Sequence, residues 1–151
     1  MVIRASLTGI PPEIYEAVKT SGGFSPNDGV LGRKYNWQGF GHVGIDATWS
    51  VLHEAFSRAG YPLQHALEGD YFPDGGLNLF SKTFKGDSYL AYVSPVIVKE
   101  VPIALAKFPI KQSLRDLGQD HLEYFLPYFK DLVNFYREAA DKSEAVFISI
   151  N

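Results

Sequence analysis

Histidine, the side chain best suited to acid–base chemistry near neutral pH, occurs four times in the chain. None of His42, His53, His65 and His121 belongs to a His-Glu-x-x-His motif or to a close histidine pair. There is no cysteine, which excludes disulfides, thiolate catalysis and cysteine-ligated metals. We therefore expect neither a metal ion nor another cofactor.

Trp49 and His53 are the residues best placed to line a ligand pocket. They are four positions apart on a predicted helix, so their side chains share one face. An indole beside an imidazole offers the floor of a pocket, with Trp37 and His42 from the preceding loop as neighbours. The alternative is a buried core pair whose imidazole is hydrogen-bonded to the backbone. Both interpretations stay open at the level of sequence.

Other signatures of catalysis are incomplete. Residues 39–44 match G-x-G-x-x-G, but a dinucleotide site also needs a buried strand before the motif and an acidic residue about 20 positions later. The chain offers neither. It has no nucleophile elbow and no phosphate-binding loop, and the acidic segment 70–76 lacks the alternating oxygen ligands of a calcium loop. The chain is therefore more consistent with a non-enzymatic protein than with an enzyme.

Two groups of acidic residues along the chain would suit a different function, the binding of a basic protein. Two aromatic residues, Tyr71 and Phe72, lie within the first group. Nearby aromatic residues would supply anchors for such an interface. The simpler interpretation is that both groups are ordinary solvated surface. The residues of the two groups are Glu68, Asp70, Tyr71, Phe72 and Asp74, followed by Asp116, Asp120 and Glu123.

Composition limits the class of protein. The 151 residues suit one domain, residues 1–151, with enough apolar content (46%) to form a core. A net charge of −3 with scattered cations argues against nucleic-acid binding. No apolar run reaches the roughly 18 residues that a membrane span requires, and the first residues do not resemble a signal peptide. We expect a cytoplasmic protein.

The hydrophobic pattern predicts strands at both ends of the chain. Residues 2–7 alternate apolar and polar side chains, and residues 144–150 form a short β-prone tail. Two further strands are predicted at residues 77–80 and 89–93, whereas residues 21–44 have the composition of a loop. The fold class predicted is α+β, with several helices packed on a small mixed or antiparallel sheet that includes both terminal strands.

Helical periodicity accounts for most of the remaining chain. One helix is predicted from Pro12 to about residue 19, and a second follows Asp46 as its N-cap, with Ile45 in its apolar stripe. Later helices begin after Ser94 and Asp120, and a short one ends at Gly118. Pro102 predicts a kink or a split in the helix that follows Ser94, and Pro127 predicts a bend in the last long helix.

Three sequence blocks carry a resemblance to a known family. They are Ile45-Asp-Ala-Thr-Trp-Ser-Val-Leu-His53, Tyr89-Leu-Ala-Tyr-Val-Ser-Pro-Val-Ile-Val-Lys-Glu-Val101, and residues 124–140 followed by Glu144-Ala-Val-Phe-Ile148. In this order they resemble the YfbM-like proteins, small bacterial single-domain proteins of largely uncharacterised function. The chain departs from that pattern at its two helical prolines and in the shorter segment 109–120. The resemblance implies an α+β fold and assigns no catalytic residue.

Two functions remain as hypotheses. The first is a non-enzymatic protein-binding domain, specifically an immunity or antitoxin-type protein that caps a basic bacterial effector or toxin. The second is a small-molecule-binding protein or enzyme with its pocket near Trp49 and His53. A domain whose oligomer is the functional unit is a third interpretation.

Overall fold

A four-stranded antiparallel sheet forms the centre of the molecule. The computed structural model describes residues 5–21, 40–71 and 89–150. The strands are β1 (Ala5–Ile10), β2 (His42–Asp46), β3 (Tyr89–Val93) and β4 (Ala145–Ile150), in the order β2-β1-β4-β3. As predicted, the N- and C-terminal strands both belong to the sheet, and they pair with each other at its centre.

Six helices are described around this sheet: α1 (Pro12–Ser21), α2 (Trp49–Ala59), α3 (Leu63–Ala66), α4 (Pro95–Lys107), α5 (Ile110–Asp116) and α6 (Leu122–Asp141). Pro95 occupies the first turn of α4, where a missing N–H costs no hydrogen bond. The helical assignment of α4 and α6 continues through Pro102 and Pro127, so neither proline splits its helix. The α+β prediction is confirmed.

Alternation along the strands gives the sheet two buried faces. Leu7 of β1 and Ile148 of β4 face the larger core, which α2, α4 and α6 cover. Phe147 and Tyr92 point the other way and pack against Ile14 and other residues of α1. Because both faces are covered, β4 is apolar at nearly every position and differs from the alternating pattern of a half-exposed strand.

The prediction for residues 42–46 was wrong. The segment was assigned to a loop and to the start of a helix, but it forms β2, with Val43 and Ile45 buried and the positions between them exposed. Asp46 ends this strand with a φ of 47° and is not the helix cap. Thr48 precedes α2 instead. The predicted strand at residues 77–80 lies outside the described residues.

One carboxyl group is buried where β4 begins. Glu144 is 8% exposed, and its side chain lies against Gly9 of β1. A Cβ atom at Gly9 would come within 2.6 Å of the Glu144 Oε1 atom, so a larger residue at Gly9 would displace this carboxyl group. Burial raises the pKa of Glu144 above its ordinary value, and the repulsion of Glu138 adds to the shift while Lys142 opposes it.

Candidate functional site

Trp49 and His53 share a face of α2, as their spacing predicts, and their rings stack in the interior. The ring centroids are 4.5 Å apart with 9° between the planes. Trp49 is 5% exposed and His53 is 3% exposed. The indole Nε1 donates a hydrogen bond to the Leu67 carbonyl at 2.9 Å, and the Nε2 atom of His53 lies 3.4 Å from the Ser57 hydroxyl. The geometry is that of an anchored core pair.

Burial favours the neutral form of the His53 imidazole. Burial lowers its pKa, because the charged ring would lose its hydration, and the nearby Glu54 only partly opposes this effect. A neutral imidazole can accept a proton or a hydrogen bond, which is the chemistry that a ligand site would use. Of the proposed neighbours, Trp37 lies outside the described residues. A ligand-binding role for Trp49 and His53 stays a prediction.

Several buried polar side chains converge on the end of α3. Besides the Trp49 indole on Leu67, the hydroxyl of Tyr136 on α6 donates to the Ala66 carbonyl at 2.5 Å. The Nδ1 atom of His65 lies 2.9 Å from the Gly69 carbonyl. We call these contacts the α3 junction. Trp49 and Tyr136 thereby satisfy the carbonyls of Leu67 and Ala66, which the end of a short helix leaves without intrahelical partners.

His42 lies in a different place, at an exposed position of β2. A cleft of about 340 Å³ separates this strand from the flank of α6, and we call it the β2–α6 cleft. Among the described residues, its polar side chains carry two carboxylates and no lysine or arginine. The cleft is lined by His42, Val43, Gly44, Asp131, Asn134, Phe135 and Glu138. The structure therefore separates His42 from the Trp49–His53 pair with which it was grouped.

A second surface feature runs between α2 and α5. Two adjoining depressions of about 310 and 400 Å³ share Arg58 and Asp116, so they form one groove, the α2–α5 groove. Ala55, Ala59 and Phe108 line its apolar part. The remaining lining residues of the groove are Ser50, Val51, Glu54, Pro109, Ser113, Leu117 and Gln119.

Of the acidic and aromatic residues predicted to bind a partner, some make contacts within the protein and others are exposed on its surface. The Asp70 Oδ1 atom accepts a hydrogen bond from the Ser94 amide at 2.7 Å, and Tyr71 forms a β-bridge with Tyr92. Glu68 is partly buried, and burial raises its pKa. Phe72 and Asp74 lie outside the described residues. Asp116, Asp120 and Glu123 are exposed around the connection from α5 to α6.

Metal binding and membrane insertion find no support in the described part of the chain. Within residues 5–21, 40–71 and 89–150, no group of three or more histidine, aspartate or glutamate side chains is arranged to hold a metal ion. None of the helices in those ranges has both the length and the apolar character that a membrane span needs.

Comparisons with known proteins define the fold alone. Neither a protein-family model nor a curated protein matches the chain. Among solved structures, the chain is similar to the crystal structure of YfbM from Escherichia coli, a protein of unknown function. The TM-score is 0.60 at 13% sequence identity, and the match covers 98% of this chain and 99% of YfbM. The chain therefore has a YfbM-like α+β fold along nearly its whole length.

Proposed function

We propose that this chain is a non-enzymatic protein-binding domain that uses the α2–α5 groove to hold a basic partner. The observation that carries the proposal is the composition of the groove, an apolar part beside carboxylates. An interface needs apolar surface for affinity and charge at its rim for selectivity and fast association. A binding role of this kind requires none of the catalytic motifs that the sequence lacks.

Charge in and near the groove selects the kind of partner. Arg58 is the one lysine or arginine among the described residues that line the groove, and its guanidinium is already 3.2 Å from the Glu54 carboxylate. Asp116 accepts a hydrogen bond from the Gln112 amide but has no ion pair among the described residues. Asp120, which follows the lining residue Gln119, and Glu123 in the first turn of α6 are two further exposed carboxylates, and that of Glu123 lies 3.7 Å from the His121 imidazole. A lysine- or arginine-rich surface would complement this arrangement.

The same proposal includes the source of the protein, its location in the cell and its biological role. The near full-length likeness to YfbM supports membership of the YfbM-like family and a bacterial source. A small acidic domain that covers a basic effector or toxin in the cytoplasm would act as an immunity or antitoxin-type protein. Such a protein needs a complementary surface and no chemistry of its own.

Copurification at native expression is the first test, with partners identified by mass spectrometry. We expect a stoichiometric basic partner and protection of cells against a toxin encoded beside the gene. Asp116→Asn/Asp120→Asn/Glu123→Gln should slow association with that partner by about tenfold or more. The matched control, Glu13→Gln/Glu16→Gln/Asp141→Asn, removes the same charge elsewhere. No stoichiometric partner and no protection would contradict the proposal.

A second candidate function is small-molecule binding or catalysis beside Trp49 and His53. The neutral, buried imidazole stacked on an indole favours it. The three depressions described above are lined by other residues, so a ligand would need an opening elsewhere. Thermal-shift screening of a metabolite library against the wild type and His53→Ala tests this candidate. A ligand that stabilises the wild type but not a folded His53→Ala would support it, and no ligand at all would reject it.

A further inference from the structure

The outer edge of β2 has backbone groups without a strand partner among the described residues. The Gly9 amide donates to the Gly41 carbonyl at 2.9 Å, and Thr8 lies opposite His42 in the ladder. Bonded and non-bonded pairs alternate along an antiparallel ladder, so the backbone of Val43 bonds to β1. It follows that His42 and Gly44 direct their N–H and C=O groups away from β1, towards the β2–α6 cleft.

The flank of α6 supplies negative charge along the same edge. Asp131 and Glu138 are seven residues apart, about 10 Å along the helix axis, and Asn134 lies between them. All three are exposed, and no cation among the described residues pairs with either carboxylate. Phe135, which is 7% exposed, gives the cleft an apolar surface between these polar groups.

We propose that the β2–α6 cleft binds an extended, lysine- or arginine-rich segment of a partner protein, which pairs with β2 as a fifth strand. The backbone of the segment would bond to His42 and Gly44, and its cationic side chains would meet Asp131 and Glu138. Strand addition to a free edge is a general mode of peptide recognition, in which backbone bonds supply affinity and side chains supply selectivity. The five residues of β2 span about 16 Å, the length of a pentapeptide strand.

This cleft is a different surface from the α2–α5 groove. The two have no lining residue in common. The inference therefore goes beyond the proposed function and does not depend on it. Charge complementarity selects a basic segment over an acidic one, and salt should weaken the binding because the carboxylates are exposed.

A labelled peptide of alternating arginine and valine provides the probe, with fluorescence anisotropy as the measurement. Asp131→Asn/Glu138→Gln should weaken binding by about tenfold or more. The matched control Glu13→Gln/Glu16→Gln on α1, with the same change in charge, should bind as the wild type does. Replacing arginine by glutamate in the peptide should abolish binding. Equal loss in both variants would overturn the proposal, because it would indicate general attraction to an acidic protein.

Hydrogen exchange tests the strand pairing separately. The amides of His42 and Gly44 should exchange rapidly in the free protein and slowly with the peptide bound. A peptide N-methylated at alternate residues should bind weakly, because it cannot complete the ladder. If the N-methylated peptide binds equally well, the cleft binds cations without adding a strand, and the proposal fails. It also fails if these amides are protected without peptide, by the chain itself or by a second copy.

Discussion

The α3 junction and the β2–α6 cleft both contain several polar side chains, but those side chains differ in burial and in hydrogen bonding. At the junction, Trp49 and Tyr136 are buried and each donates to a backbone carbonyl. In the cleft, Asp131 and Glu138 are exposed and have no ion-pair partner among the described residues. Of the first region, Trp49 could be singled out from the sequence by its residue type and its spacing from His53, whereas the carboxylates of the second are common surface residues.

Because of this difference, we expect the side chains of the junction to stabilise the fold and those of the cleft to be available for binding. A buried donor that is already paired contributes to folding, and removing it leaves its acceptor without a partner in a medium that water does not reach. An exposed carboxylate without a partner contributes little to folding and keeps its charge for an incoming cation. Substitutions in the junction should therefore lower the free energy of unfolding, and substitutions in the cleft should leave it nearly unchanged.

Trp49→Ala should have the largest effect on stability. It removes a buried indole, the stacking contact with His53 and the hydrogen bond to Leu67, and it leaves a cavity. We expect the free energy of unfolding to fall by about 3–5 kcal/mol in urea denaturation. Trp49→Phe is the control, which keeps an aromatic ring and should lose less. A loss below about 1 kcal/mol for Trp49→Ala would contradict the structural role of the junction.

Tyr136→Phe isolates one hydrogen bond of the same junction. The ring stays in place, but the carbonyl of Ala66 loses the donor that reaches it in the interior. Denaturant unfolding should show a loss of about 1–3 kcal/mol. Tyr124→Phe on the exposed side of α6 is the matched control and should be close to neutral. Equal stability of the two variants would mean that the buried hydroxyl contributes nothing.

Glu144→Gln tests a carboxyl group that is buried, like the donors of the α3 junction, and ionisable, like the carboxylates of the β2–α6 cleft. Its pKa is raised by folding, so the folded state prefers the protonated form. The stability that this preference provides is complete below the unfolded-state pKa, and it is lost as the pH rises through the folded-state pKa. The glutamine variant should therefore melt at a higher temperature than the wild type at neutral pH, and the difference should shrink towards about pH 4. A pH-independent difference would contradict the assigned protonation.

Asp131→Asn/Glu138→Gln should have the smallest effect on folding. Both side chains are exposed, and we expect the free energy of unfolding to stay within about 0.5 kcal/mol of the wild type. The same variant should lose the binding of an arginine-rich peptide. If instead it unfolds as easily as Tyr136→Phe, the carboxylates are structural and the comparison between the two regions breaks down.

The amphipathic helices and the final strand could be predicted from the sequence because the spacing of their apolar residues shows which side chains are buried. The apolar stripes of α2 and α6 and the run of residues 145–150 belong to this kind. β2 could not be predicted because Gly41 precedes its short alternation and Gly44 lies between Val43 and Ile45, and glycine is typical of turns. Its strand identity depends on pairing with β1, a contact that local propensity does not encode.

The candidate sites were predicted less well than the fold. The shared face of Trp49 and His53 follows from helical spacing alone, but their burial depends on the carbonyl of Leu67, which α3 brings from 18 residues away. Asp131, Asn134 and Glu138 were not singled out, because exposed polar residues beside an apolar stripe are usual on any surface helix. They lie close to His42 because α6 packs beside β2 in the folded protein. The sequence could have indicated this proximity only if β2 had been predicted.

The pairing of β1 with β4 constrains how the protein is made. Ala5 meets Ile150 across the ladder, so the centre of the sheet joins two strands that lie far apart along the chain. During synthesis β1 is made long before β4, and until then it lacks its neighbour at the centre of the sheet. Contacts of such long range are typical of slow folding.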